Sequence, residues 1–557
     1  MPDDVLVRHF LTQFVEHDFS ADSDRHQTLA VAAAAVITIP LFVTVFMSVK
    51  YLLHPFQAPG WTETTLMGDE VTFCAASMLV TAAVALLEWD GLALNRTDAA
   101  ILGVLPVPRR TIVRAKVTAL VMFAAAFAAA LNAVPSLLHP LLMSSQLPMN
   151  VAMLVPLAAV HAMVTMGAGL FGFAAVLSVR EVLFAVLGAA RFRRVSDRLR
   201  AVLLFAVLLL LALVPVRLSD SADWMFDAQN SRPLLAPVAW FAAAHAALAG
   251  RLLDGLPRPD MPARLADNET RLTVRYREAL PRLTNEALRG AAVLVLTVLA
   301  SIALYLRNAR HIHVLVEGRP RRGSPNARRV PAIPGRLPPA MRAGLLFAAR
   351  TLLRSPVHLV YMLVALAGGI ALFIALADGP IRTLTLAAQP LLIAAVVAGF
   401  RAAVRTSADY RAAWIFDVAD TGSAGRFREG VRVAGLALIV ATVGMLFPIA
   451  RWQWGSNLAL AHAVDGLAIG WVFVELAMTG IDRPLVVSIP PSDGLNTVGV
   501  ALGGAAAICI FIAAHVERFT VGSSVGVVVY PLAFSAFAFA IRRSQRLNYT
   551  IANDSRR

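Results

Sequence analysis

The chain has 557 residues, of which 58% are hydrophobic and only 15% charged, and its mean hydropathy is +0.68. Soluble domains carry roughly 25% charge, so the composition excludes a water-soluble globule, and the hydrophobicity excludes a disordered chain. The formal charge is +15, from 50 Lys and Arg against 35 Asp and Glu; in a membrane protein such an excess marks topology, and no nucleic-acid partner is expected.

The first 28 residues are polar and acidic and show no cleavable signal peptide. Within them, residues 5–19 place Leu6, Phe10 and Phe14 on one helical face, which predicts an interfacial helix leading into the first span. Twelve apolar runs then follow, at 29–49, 71–88, 117–138, 151–178, 201–216, 288–306, 357–377, 386–404, 433–450, 456–477, 496–515 and 521–541. Their length fits helices rather than barrel strands, because backbone groups in lipid must be satisfied internally. The expected fold is therefore all-α, a polytopic membrane protein of about twelve helices. The stretch 182–190 blurs the boundary between the fourth and fifth spans. Residues 236–250, with Pro237 and His245, are too short to span and read as re-entrant or interfacial.

Counting Lys and Arg orients the chain. Thirty-six fall on one side of the spans and 14 on the other, ten of these in the long, nearly balanced segment 217–289. Long loops count little in this rule, so both termini are expected in the cytoplasm. The architecture reads as two six-helix halves, 29–306 and 356–541, followed by a cytoplasmic tail at 542–557. Trp89 closes the second span, and Trp414 follows the eighth at an offset of 325 residues. Between the halves, 307–355 is an Arg- and Pro-rich linker ending in a second interfacial helix, at 341–355.

Two polar segments on the inner side carry the candidate chemistry. The first runs from Trp89 and Asp90 to Lys116. Asp98 is placed to cap a short helix with Ile101, Leu102 and Leu105 on one face, and Pro106 and Pro108 end it, ahead of Arg109. A rigid apolar knob of this kind suits a groove in a partner protein. The second segment, at the matched position in the other half, holds Trp414, Phe416, Asp417 and Arg426.

The string Glu88-Trp-Asp, Asp98-Ala-Ala-Ile-Leu-Gly-Val-Leu-Pro-Val, Arg109 and Ala-Lys116 resembles the first cytoplasmic loop of ATP-binding-cassette exporter permeases of the ABC-2 class. The segments His17–His26, Pro237-Val-Ala-Trp240-Phe241 and Phe347–Ser355 are similar to further motifs of such permeases, in the same order. The resemblance implies a permease of a bacterial inner membrane. Loops 89–116 and 405–432 would dock separate ABC ATPase subunits, in two copies, which hold the ATP and Mg. It also implies an outer re-entrant segment carrying Pro237, Trp240 and Phe241, and leaves room for a further permease or accessory subunit. The second half departs from the pattern: it lacks a counterpart to 217–289, and its loop lacks the Leu-Pro-Val phrase.

The chain has no ATPase site or cofactor of its own to expect. A phosphate-cradling GxxxxGK[ST] loop needs lysine after glycine, but the only lysines, Lys50 and Lys116, follow Val49 and Ala115. Among membrane-embedded polar residues, Asp465 and His161 are the candidate pathway residues. Neither Cys74 with Cys509 nor the pair His311 and His313 supports a metal site, and none is expected. Two other classes stay open. A secondary transporter would need coupling charges inside the spans, and a membrane glycosyltransferase would use Asp69 and Glu70, placed in the first outer loop.

Overall fold

A computed structural model describes residues 2–15, 44–45, 61–93, 98, 101–102, 106–143, 151–217, 225, 236–254, 263–309, 337–377, 382–406, 424–481, 497–520 and 525–554. Regular structure among them is helical throughout. In chain order the main helices are α1 (Pro2–Val15), α2 (Trp61–Leu87), α3 (Arg109–Met143), α4 (Val151–Arg217), α5 (Pro237–Asp254) and α6 (Ala263–Ala309). They continue with α7 (Pro339–Arg354), α8 (Pro356–Ala377), α9 (Arg382–Arg405), α10 (Ala424–Trp454), α11 (Ser456–Ala477), α12 (Thr497–Thr520) and α13 (Gly526–Asp554). Among the described residues, eight helices are long and apolar enough to cross a membrane. The number is nine if α7 and α8, bent by 75° at Ser355, make one broken span. By helix length and hydropathy this is a multi-pass membrane protein.

Eleven of the twelve apolar runs lie on these helices; the run at 29–49 falls outside the described residues except Thr44 and Val45. One boundary differs from expectation. The run at 201–216 continues α4 beyond a break at Gly188, which has φ 69° and ψ 161°. That left-handed φ is open to glycine at no steric cost, so the apolar stretch 182–190 spans the break, with 182–187 ending the first helical segment.

The chain divides into two units, Met1–Arg322 and Gly323–Arg557, and the division falls in the Arg- and Pro-rich stretch. In the first unit α2 is central: 72% of its apolar window is buried, against 11% for α6. The α2–α4 crossing is close because small residues line it. A Cβ on Gly172 would fall on the Met78 carbonyl. Ser77 Oγ donates to Thr165 O at 2.7 Å and Thr81 Oγ1 to Gly169 O at 2.8 Å, while Asn132 Nδ2 of α3 donates to Ser77 Oγ at 2.8 Å. Small residues and side-chain hydrogen bonds hold spans together where lipid removes the hydrophobic drive.

In the second unit α9 and α11 are the buried centre, with 67% and 61% of their windows covered. Ile393 and Val397 of α9 pack with Ile439 and Val443 of α10 and Ile469 and Phe473 of α11. Helix α7 docks on the start of α10 through two glycines. A Cβ on Gly344 would meet Phe427 O, and one on Gly430 would meet Met341 O.

Candidate functional site

The loop after α2 is anchored at its base. Trp89 is buried, and its Nε1 donates to Ser196 Oγ at 2.8 Å. Arg180 Nε donates to the Trp89 carbonyl at 3.1 Å, and its guanidinium lies over the Trp89 and Phe192 rings, 5.9 and 5.7 Å from their centroids. Arg180 also pairs with Glu181, whose carboxylate accepts from Asn308 Nδ2 at 2.7 Å. Asp90 is exposed and bridged to Arg200 at 3.1 Å. These contacts tie the loop to α4 and α6.

Farther along, Asp98 is buried and accepts both of its Gln13 contacts from α1, at 3.0 and 3.2 Å; His9 lies 3.7 Å away. Asp98 therefore ties the amphipathic α1 to this loop. Leu6, Phe10 and Phe14 form the buried face of α1, as their spacing predicts, but that face meets protein. Phe14 stacks on Phe123 at 4.9 Å, and Lys116 Nζ sits over the Phe10 and Phe14 rings at 4.8 and 4.5 Å. Ile101 and Leu102 do not share a face: Ile101 is 58% exposed and Leu102 only 9%. Adjacent helical positions point about 100° apart, so one anchors while the other projects. Pro106 is exposed, and Pro108 immediately precedes α3, its carbonyl accepting from Thr111 and Ile112 N–H. Arg109 donates to Ala309 O of α6. Leu105 lies outside the described residues.

In the second unit, Trp414, Phe416 and Asp417 lie outside the described residues. Arg426 is exposed on the first turn of α10. Just after it, Glu429 pairs with Arg432 and Arg542, each at 2.7 Å, and with Arg546 at 3.2 Å. Arg432 Nε also meets Glu475 of α11 at 3.0 Å, with both side chains buried. Gln545 of α13 donates to Glu475 O at 2.7 Å and accepts from Arg432 at 2.9 Å. The same end of this unit is thus knitted by charge.

The other notable site lies near the opposite end of α2. Asp69 and Glu70 are buried in that helix, not carried in an outer loop. From Glu70 to Leu87 the helix rises roughly 26 Å, so Glu70 and Trp89 are far apart. Three histidines from three other helices converge on Glu70 Oε1. His139 Nε2 of α3 is at 2.9 Å, His161 Nδ1 of α4 at 3.1 Å and His245 Nε2 of α5 at 3.3 Å. All four residues are buried. The Phe73 ring packs edge-on against His139 and His161, at 5.0 and 5.2 Å. The expected pathway residue His161 therefore belongs to a four-residue group. The signal available in the sequence was three histidines and an acid at or inside apolar runs: Glu70 and His139 border 71–88 and 117–138, and His161 and His245 lie within 151–178 and 236–250; their separation along the chain hid the group. The re-entrant segment is a helix, α5, whose Phe241 is buried while Pro237 and Trp240 are half-buried. Its Ala242, Ala243, Ala246 and Ala247 pack with Met67, Val71 and Leu283.

Asp465 is likewise buried, in α11, one turn from His462, which pairs with Glu517 of α12. Gln389 Nε2 donates to His462 O at 3.2 Å, and Trp454 packs edge-on against the His462 ring at 5.0 Å. In the first unit an apolar cavity of about 130 Å³ lies between α3, α4 and α6, lined by Leu120, Phe173, Val298 and Tyr305 among others.

No protein-family model, curated protein or solved structure matches the chain.

Proposed function

We propose that the chain is the membrane-spanning subunit of an ABC exporter of the ABC-2 class, with twelve helices in two related halves, worked by separate ATPase subunits. The observation that carries this reading is the build of the loop between α2 and α3. Ile101 is a large apolar residue left 58% exposed, while Leu102 beside it is buried and Trp89 and Asp98 are held by α4 and α1. A projecting apolar side chain on a fixed base transmits force in a way a mobile loop cannot, and partner grooves are filled by such anchors. The absence of a lysine-containing phosphate loop from the sequence requires the nucleotide chemistry to come from another chain.

The test is co-purification in mild detergent with a Walker-type ATPase encoded beside this chain. Ile101→Glu is expected to cut ATPase recovery about tenfold, equivalent to roughly 1.4 kcal/mol, with membrane insertion unchanged. Full ATPase recovery by this variant would reject the docking role.

A second reading, an ion-coupled transporter, draws support from the acids and histidines buried in both units, at Glu70 with His161 and at Asp465 with His462 and Glu517. Ionisable groups inside spans are the material of coupling. Transport by the purified chain on an ion gradient, without ATP, would select this reading over the first.

A further inference from the structure

We propose that Glu70, His139, His161 and His245 form a binding site for one divalent transition-metal ion of the zinc class, stapling α2, α3, α4 and α5 together. This goes beyond the transport reading and does not depend on it.

The geometry is poor for hydrogen bonding and good for metal ligation. A carboxylate oxygen has two lone pairs, yet three imidazole nitrogens crowd Glu70 Oε1 within 3.3 Å. Glu70 Oε2, equally buried, has no hydrogen-bond partner among the described residues, and neither does His161 Nε2. A set evolved only to satisfy the carboxylate would use both of its oxygens. A tetrahedral zinc ion holds nitrogen and oxygen ligands at about 2.0–2.1 Å, which places the ligand atoms about 3.3 Å from one another. The observed spacings of 2.9, 3.1 and 3.3 Å to Oε1 are close to that separation. The ligand atoms of Glu70, His139 and His161 all lie within 4.8 Å of one another. His245 Nε2 stands outside that group, 3.3 Å from Glu70 Oε1, and is the candidate fourth ligand.

The chemistry agrees with the spacing. Three imidazoles and one carboxylate are borderline and hard ligands, the set that suits zinc and its first-row neighbours and not calcium or magnesium. One negative ligand and three neutral ones leave a buried dication at net +1, a smaller burden than a bare buried charge. With His245 drawn in as the fourth, protein ligands would close the coordination shell, the arrangement of a structural site rather than a catalytic one. Each ligand comes from a different helix, so the ion would fix the shorter apolar helix α5 against three that are long and apolar enough to cross a membrane. The edge-on Phe73 ring holds the His139 and His161 imidazoles in their orientation.

The test uses the full chain purified in detergent. After chelator treatment, one equivalent of Co²⁺ is expected to give the intense visible d–d absorption of a tetrahedral site, and one equivalent of Zn²⁺ to displace it. Zinc is expected to raise the melting temperature read by fluorescence-detected size exclusion. Glu70→Gln, which keeps shape but loses charge, and His161→Gln are expected to weaken zinc by at least on the order of 100-fold. His462→Gln, in the other histidine–acid group, is expected to leave the zinc equivalent intact. The proposal is overturned if the wild-type chain gives no tetrahedral cobalt spectrum and no zinc-dependent shift, which needs no variant to fold. It is also overturned if Glu70→Gln and His161→Gln bind zinc as tightly as wild type.

Discussion

Gln13 donates to both carboxylate oxygens of Asp98, at 3.0 and 3.2 Å, across 85 residues of chain. The same Gln13 accepts from Lys116 Nζ at 3.3 Å, so one amide joins α1, the loop and the start of α3. Gln13→Ala removes one donor to a buried carboxylate, a loss of about 1–3 kcal/mol. Limited proteolysis in detergent is expected to cut the α1 region faster in Gln13→Ala than in wild type. Unchanged cleavage would mean that the apolar face of α1 alone holds it.

Two glycines on α10 behave oppositely. Gly430 abuts Met341 O and Leu345 N of α7, whereas Gly444 has no atom within 4 Å of where a Cβ would stand. Gly430→Ala is expected to separate α7 from α10 and lower stability by about 1–3 kcal/mol, the usual cost of overpacking. Gly444→Ala adds helix propensity without a clash and is expected to be neutral or to stabilise by up to about 1 kcal/mol. Thermal unfolding of the two purified variants measures the contrast. Equal melting temperatures would show that the α7–α10 crossing can widen at no cost.

The Arg432–Glu475 pair is buried on both sides, while Arg546 of the same network is largely exposed. Removing one partner of a buried pair strands the other charge and costs about 3–5 kcal/mol; an exposed pair is worth under about 1 kcal/mol. Arg432→Met is therefore expected to reduce folded yield sharply, and Arg546→Met hardly at all. The double variant Arg432→Met with Glu475→Leu is expected to recover part of the loss, because no unpaired charge remains. Yield of monodisperse protein on size exclusion reads all three.

Much of this was legible in one dimension. Run length and hydropathy locate the spans because lipid forces each backbone to satisfy itself as a helix, and the 3.6-residue period of Leu6, Phe10 and Phe14 already marks the face that α1 buries. The lack of a phosphate-binding lysine is also a property of the string alone. Other features needed three dimensions. Asp98 reads as a cap, since an acid before a short apolar segment has that role by default, and only the position of Gln13 shows that it holds α1. Ile101 and Leu102 are equivalent as letters; packing decided which one projects. Asp69 and Glu70 read as loop acids because charge usually stays in water, and three histidines recruited from distant helices are what make Glu70 an interior residue. Local patterns determine what each helix is, through interactions within a few turns. Which polar groups meet is decided by how helices far apart in the chain pack, and no periodicity records that.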